Sequence, residues 1–396
     1  MVSVSFLSQR VKSLAPSATL AANDKAKQLA ASGVDVINLT AGEPDFNTPD
    51  FIKKAAYQAI SDNKTTYTAV DGIPELKQAI IHKLERDNAL SYEPNQIIAS
   101  CGVKQALFNI TQATLNPGDE AIIPAPYWVS YPSMVQLAGA QSVFIETDIA
   151  HEFKITPDQL TAAITPKTKM LFLNSPSNPT GSIYTKDELV ALGEVLLKHP
   201  QILIISDDIY EYVIWDECGF HNIVNACPAL YDRTVVMNGV SKAHCMTGWR
   251  IGFAACAPDL MTAMKKIQSQ STSCATSIAQ HAAATALNAS KSDFFQPMLK
   301  AYQDRANWLV EALNGLPGIQ CLPSKGTFYA FVDASELIKQ RGMKDDFELN
   351  VHLLEQAHVA TTPGSAFGCP NHLRLSFATG MDTLRAAVDR IQSSLL

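Results

Sequence analysis

Lys242 stands in the stretch Asn238-Gly-Val-Ser-Lys-Ala-His-Cys-Met-Thr-Gly-Trp-Arg-Ile-Gly252, on a connection between two short apolar runs at 234–237 and 251–255. A lysine held near a protein interior has its amine pKa lowered by desolvation and by a neighbouring cation such as Arg250, and so becomes a nucleophile near neutral pH. In isolation such a lysine is far more often a solvated loop residue. Other reactive types sit in comparable places. Trp128 follows one apolar run, Asn178 lies in Asn174-Ser-Pro-Ser-Asn-Pro-Thr-Gly181 after another, and Asp207 and Tyr210 lie in Asp207-Asp-Ile-Tyr-Glu211 after a third. Arg374 interrupts the apolar run 373–377, where it is either the rim of a sheet or a planar clamp for an anion. Singly, each has an ordinary alternative: Asp207 could cap a helix, Asn178 could serve a turn and Trp128 could be core.

Strands must carry these residues if they are to meet. Apolar runs at 121–123, 142–146, 170–173, 202–206 and 234–237 alternate with helical patterns at 133–138, 160–164 and 186–197. That alternation predicts a mainly parallel sheet with helices on both faces. Ligands of such sheets bind beyond the C-terminal strand ends, which is where Trp128, Asn178, Asp207 and Lys242 fall. Residues 96–107 read as strand, glycine, helix, so the amides near Val103, Lys104 and Gln105 can receive a phosphate at a helix N-terminus. Gly42, in the Pro-rich segment 40–49, would let backbone approach a ligand closely, although an interdomain turn accounts for it equally well. Tyr67 is the central aromatic of an irregular polar segment, 65–72. Helices are expected at 23–32, 49–62, 73–86 and 296–313, the last carrying Tyr302, Trp308 and Leu309 as packing residues. A short strand at 34–39, strands at 327–332 and 373–377 and a helix at 345–357 complete the pattern, the later ones forming a smaller layer.

The chain's 396 residues exceed what one core supports, so two domains are expected. With 47% hydrophobic and 17% charged residues it reads as globular, and its net charge of −7 gives no basic footprint for nucleic acid or an anionic membrane. Small molecules are the expected partners. No apolar run approaches a membrane span, and residues 1–9 lack the features of a signal peptide. The eight cysteines show no CxxC pair and no metal-finger spacing, which suits reduced thiols in a cytoplasmic protein and no bound metal.

Together the residues fit one ligand: an aromatic aldehyde carrying a phosphate and a ring nitrogen. Lys242 would hold it as a Schiff base, Asp207 would keep the ring nitrogen protonated, Tyr210 and Asn178 would bond the ring hydroxyl, and Trp128 would stack on the ring face. Arg250 and the amides at 103–105 would take the phosphate. The chain resembles the fold-type I, class I pyridoxal-phosphate aminotransferases, in their bacterial aspartate aminotransferase branch. The resemblance rests on Ala41-Gly-Glu-Pro-Asp-Phe46, Gly102-Val-Lys-Gln-Ala-Leu-Phe108, Pro126-Tyr-Trp-Val-Ser-Tyr131, the motifs around Asn178, Asp207 and Lys242, and His372-Leu-Arg-Leu-Ser376.

The resemblance implies a large domain over 48–300, binding pyridoxal 5′-phosphate, and a smaller α+β domain from 1–47 and 301–396. It implies that Lys242 is the Schiff-base lysine and the acid/base of a 1,3-proton shift, that Asp207 pairs with the pyridinium nitrogen, and that Arg374 clamps the substrate α-carboxylate with Gly42 and Asn178 assisting. Tyr67 would reach the phosphate of a neighbouring subunit in a homodimer. Lys104 would meet the distal carboxylate of aspartate or glutamate, or else only support the phosphate; 2-oxoglutarate would be the acceptor. Three positions depart from the pattern. Asp208 replaces a common glutamate, Gly239 stands where some relatives carry a phosphate-binding serine, leaving the phosphate to Arg250, Ser241 and the helix amides, and Tyr131 stands where other branches place a histidine behind the ring aspartate. Alternative activities on this fold are transfer from aromatic amino acids or to prephenate, and C–S bond elimination. An amino-acid-sensing regulator would need a basic DNA-binding region, and a dinucleotide enzyme would need a G-x-G-x-x-G, both of which are lacking.

Overall fold

The computed structural model describes residues 6–14, 18–215, 217, 219–289 and 295–395. One of the eight cysteines, Cys218, and part of the segment 1–9 lie outside the described residues.

A two-residue strand, β1 (Ile37–Asn38), precedes the main sheet. The sheet itself is built from β2 (Ile97–Ser100), β3 (Glu120–Ala125), β4 (Gln141–Glu146), β5 (Thr168–Asn174), β6 (Leu203–Asp207), β7 (Thr234–Gly239) and β8 (Gly252–Ala255). Its spatial order is β2-β8-β7-β6-β5-β3-β4. Pairings are parallel from β7 to β4, whereas β8 is antiparallel to both of its neighbours. The near-continuous apolar strands follow from burial on both faces. Met170 and Phe172 of β5 pack into one core with Ile123, Ile205 and Met237, while Leu171 and Leu173 face a second core with Ile122, Ile204 and Val236. The helices are locally encoded. Helix Lys186–Leu197 starts in a capping box in which Thr185 and Glu188 satisfy each other's backbone amides, and helix Pro74–Asn88 has proline in its first turn and ends at Ala89 in the left-handed region.

A four-stranded antiparallel sheet is formed by β9 (Gln320–Cys321), β10 (Tyr329–Asp333), β12 (Thr362–Pro363) and β13 (His372–Ser376), in the order β12-β13-β10-β9, and β11 (Val359–Ala360) pairs in parallel with β1. Helix Phe295–Asn314 packs against it, with Tyr302 and Leu309 fully buried as expected from its periodicity. Tyr210, Val213 and Ala243 join the same core from the main-sheet connections.

Three differences from the sequence reading have local causes. The strand expected from 327 begins at Tyr329, because Thr327 has φ +64°. Helix Pro258–Ser269 was not foreseen, although Pro258 and Asp259 mark its first turn. The reversed direction of β8 also goes unannounced, because apolar runs carry no polarity. Among the described residues no helix is long and apolar enough to cross a membrane.

Candidate active site

The strand ends of the main sheet and the face of β10 and β13 enclose a cavity of about 440 Å³. Because β8 runs backwards, its N-terminal end lies at the same edge as the C-terminal ends of β2 and β7, with Gly252 paired to Gly239 and to Ser100. That reversal delivers Arg250 to the site. All the residues expected from sequence line the cavity except Gln105 and Tyr67.

At one end, Gly102 opens helix Val103–Thr114 with φ +80°, and Arg250 also adopts a left-handed conformation, φ +59°. A Cβ on Gly102 would overlap the Arg250 guanidinium, so only glycine lets the arginine lie across the helix start. Arg250 donates to Thr247 O (2.9 Å) and Cys101 O (3.3 Å). The guanidinium, the first amides of the helix and its dipole together make a cationic pocket for a phosphate-sized anion. Gln105 does not share in it. Its amide already donates to Gly102 O (3.1 Å), and its side chain is bonded to Cys101 N and Thr272, so it braces the turn instead. A Cβ on Gly239 would sit 2.9 Å from Gly252 Cα and Ile251 O, so the close antiparallel pairing of β7 and β8 leaves no room for a serine at this place.

At the other end, Asp207 terminates β6 and is buried. Its carboxylate accepts from Tyr131 Oη (2.6 Å) and from Ile209 N (3.4 Å). Burial nevertheless raises its pKa to about 6. Tyr131 thus supplies the support behind Asp207 that the sequence left undetermined. The neighbouring Asp208 points away from the cavity, accepting from Ser206 Oγ (2.7 Å) and Asn222.

Between these ends Lys242 Nζ donates to Gly42 O (2.5 Å) and lies 5.7 Å from the Tyr210 ring centre. Burial, then the charges of Arg374 and Arg250, lower its pKa to about 8 against the opposing pull of Glu43 and Asp207. On the far wall, buried Arg374 donates to Asn178 Oδ1 (3.0 Å) and Thr40 O (2.9 Å), with its guanidinium over Tyr329. Its Nε is buried with no hydrogen-bond partner. Lys104 Nζ lies 4.9 Å from the Trp128 ring, and burial with the nearby Arg250 lowers its pKa. Among the described residues it has no carboxylate partner. Tyr67 lies outside the cavity at 93% exposure.

The arrangement is a cationic pocket, a buried carboxylate and a near-neutral amine around one space, faced by an arginine with a spare donor. Residues 34–391 match the family described as Aminotransferase class I and II. The chain belongs to this family. It is 54% identical over 395 residues to the aspartate/prephenate aminotransferase of Nitrosomonas europaea, covering 98% of this chain and 99% of that one. It is 50% identical to the aspartate aminotransferase of Geobacillus stearothermophilus, covering 97% and 98%. The crystal structure of the Rhizobium meliloti aspartate aminotransferase superposes with a TM-score of 0.95 at 42% identity, covering 99% of both chains. This aminotransferase therefore has the fold-type I architecture that the resemblance implied, built on the mainly parallel sheet expected from its strand pattern.

Of the cavity residues, Glu43 and Tyr329 were given no role from sequence, and Tyr131 was noted only as a departure from the pattern. Glu43 accepts from Thr247 Oγ1 (2.8 Å), Tyr131 supports Asp207, and Tyr329 contacts Tyr210 and Arg374. Glu43 and Tyr131 stood inside quoted motifs, but nothing in the order of residues revealed what they would touch.

Proposed function

We propose that this aminotransferase moves the amino group of aspartate to 2-oxoglutarate, in two half-reactions, by means of pyridoxal 5′-phosphate held on Lys242. The observation that carries the reading is Lys242 between buried Asp207 and the Arg250 pocket, with Arg374 opposite. The cofactor fits these residues: an anion pocket at one end, a carboxylate for the ring nitrogen at the other, and a lysine between. When bound, it supplies an electron sink that lets the α-proton of an amino acid depart.

The chain's own residues do the rest. Arg250, Ser241 and the amides of Val103 and Lys104 hold the phosphate, and Trp128 covers one ring face. Asp207 keeps a proton on the ring nitrogen, and Tyr210 donates to the ring oxygen. Asn178, whose Oδ1 is engaged by Arg374, turns its amide donors to the same oxygen. Lys242 Nζ takes the α-proton and returns it two atoms along, completing the 1,3-shift. Arg374 takes the α-carboxylate with the N–H groups of Nη1 and Nη2 that Asn178 and Thr40 leave unused, while Gly42 lets the substrate approach. Arg374→Ala should raise KM about 10- to 100-fold for every α-amino acid, since all lose the same charge-assisted contact. If only dicarboxylates suffered, the roles of Arg374 and Lys104 would have to be exchanged.

Lys104, which has no carboxylate partner among the described residues, is assigned the distal carboxylate. Lys104→Ala should raise KM for aspartate about tenfold or more and leave an aromatic donor nearly unchanged; equal effects on both donors would remove the assignment. The names of the Nitrosomonas and Geobacillus relatives support aspartate, and the former adds prephenate as a second oxo acid to assay. A donor screen with 2-oxoglutarate, read alongside the visible absorbance of lysine-bound cofactor, tests the whole reading. Oxo acid released without 2-oxoglutarate over many turnovers, beyond the one equivalent per site of the first half-reaction, would indicate elimination instead.

We also propose a division into a large unit, 48–300, and a small one, 1–47 with 301–396, joined through helix Phe295–Asn314 and supported by their separate hydrophobic cores. A homodimer is proposed in which Tyr67 reaches the neighbouring site. Its segment is pinned where Gln268 donates to Val70 O (2.6 Å) and Gln280 to Thr68 Oγ1 (3.0 Å), leaving Tyr67 projecting outward. The free cysteines among the described residues suit a cytoplasmic setting.

A further inference from the structure

Tyr210 and Tyr329 come from distant parts of the chain, the turn after β6 and the start of β10, and their hydroxyl oxygens lie 3.0 Å apart. Both side chains are buried, and both line the cavity. Each hydroxyl has one proton, so one of the pair must donate and the other accept. The hydroxyl that accepts is left with its own proton to give to something in the cavity. On the reading above, the ring oxygen of the cofactor is the acceptor beside Tyr210.

We infer that Tyr329 is a positioning residue for the transamination site: its hydroxyl donates to Tyr210, commits the Tyr210 proton to the ring oxygen, and strengthens that bond by polarising it. The inference rests on the role assigned to Tyr210. Chains of hydroxyls reinforce one another in this way when all point in one direction, more so where water is scarce. Tyr329 is well held for the task. Its ring lies under the Arg374 guanidinium at 4.3 Å and packs on Phe328, and its hydroxyl stands 3.4 Å from where a Cβ on Gly42 would be. The reverse polarity, Tyr210 donating to Tyr329, would make Tyr329 a competitor for the proton that the ring oxygen requires.

The two polarities predict opposite results. In the holoenzyme, the visible absorbance of lysine-bound cofactor changes with pH as its nitrogen loses a proton, and a bond donated to the ring oxygen favours the deprotonated form. Tyr210→Phe removes that bond and should move the midpoint upward by about one pH unit. Tyr329→Phe should move it in the same direction by a smaller amount, about a third as far, and should add nothing further in the Tyr210→Phe background. The charged and titratable neighbours of the pair, Asp207, Lys242, Glu43 and Arg374, are unchanged in all three variants. Because phenylalanine keeps the ring under Arg374, KM for the amino donor should stay within about twofold while kcat falls. Tyr329→Leu, also without the hydroxyl, should reproduce the midpoint even if it melts earlier.

A downward displacement, no displacement, or the same displacement whether residue 210 is Tyr or Phe would overturn the inference. If Tyr210→Phe itself left the midpoint in place, the assignment of Tyr210 would fall first, and this inference with it.

Discussion

Lys242→Ala should lose the visible absorbance of lysine-bound cofactor and about 10⁴-fold or more of its turnover, because in the proposed mechanism one nitrogen both anchors the cofactor and moves the proton. The structure gives a reason why this lysine is suited to both tasks. Its pKa of about 8 arises from burial and from Arg374 and Arg250, so roughly a tenth of the amine is free base at pH 7, where an ordinary lysine has well under a thousandth. The sign follows directly: only the free base attacks an aldehyde, so uptake of pyridoxal phosphate by the cofactor-free protein should quicken as pH rises and level off above about 8. Uptake still climbing tenfold per unit beyond pH 9 would mean that the lysine is not activated. Lys242→Arg should not rescue turnover, since a guanidinium stays protonated throughout. Normal turnover in Lys242→Ala would refute the mechanism itself.

Much of this site was legible because burial on two faces leaves a long apolar signature. The helix expected at 186–197 is found at Lys186–Leu197, and the strands ending near Asn174, Asp207 and Gly239 deliver Asn178, Asp207 and Lys242 as expected. What was hidden depends on contact across the chain. Tyr131 and Asp207 are 76 residues apart and Tyr210 and Tyr329 are 119 apart, and neither pairing has a periodicity that could announce it. Gln105 was expected to hold phosphate because it lies in the first turn of a helix, yet Gly102 O claims its amide. Which N–H groups stay free is set by the turn before the helix and not by the helix itself. The packing at Gly239 is likewise a fact about β8, whose reversed direction is invisible in a row of apolar residues.

Asp207→Asn should change stability and activity in opposite directions. In the cofactor-free protein, burial raises the Asp207 pKa from 3.8 to about 6, even though Tyr131 donates to it. Below about pH 4 the group is protonated whether the chain is folded or not, and it costs nothing. Between about 4 and 6 the unfolded chain releases the proton while the folded one retains it, so folding loses up to about 3 kcal/mol, and the loss stays constant above pH 6. Asparagine carries no such charge and can still accept from Tyr131, so the variant's cofactor-free form should melt higher than the parent at pH 7 and alike near pH 4. On the proposed reading, a protonated ring nitrogen would be the counter-charge of this buried carboxylate once the cofactor is bound. Pyridoxal phosphate should therefore stabilise the parent more than Asp207→Asn, and turnover of the variant should fall about 10²- to 10³-fold, the range seen when one electrostatic partner of a developing charge is removed. A variant that melted lower than the parent at pH 7 without cofactor would show that Asp207 is held by its local hydrogen bonds, not reserved for the ring.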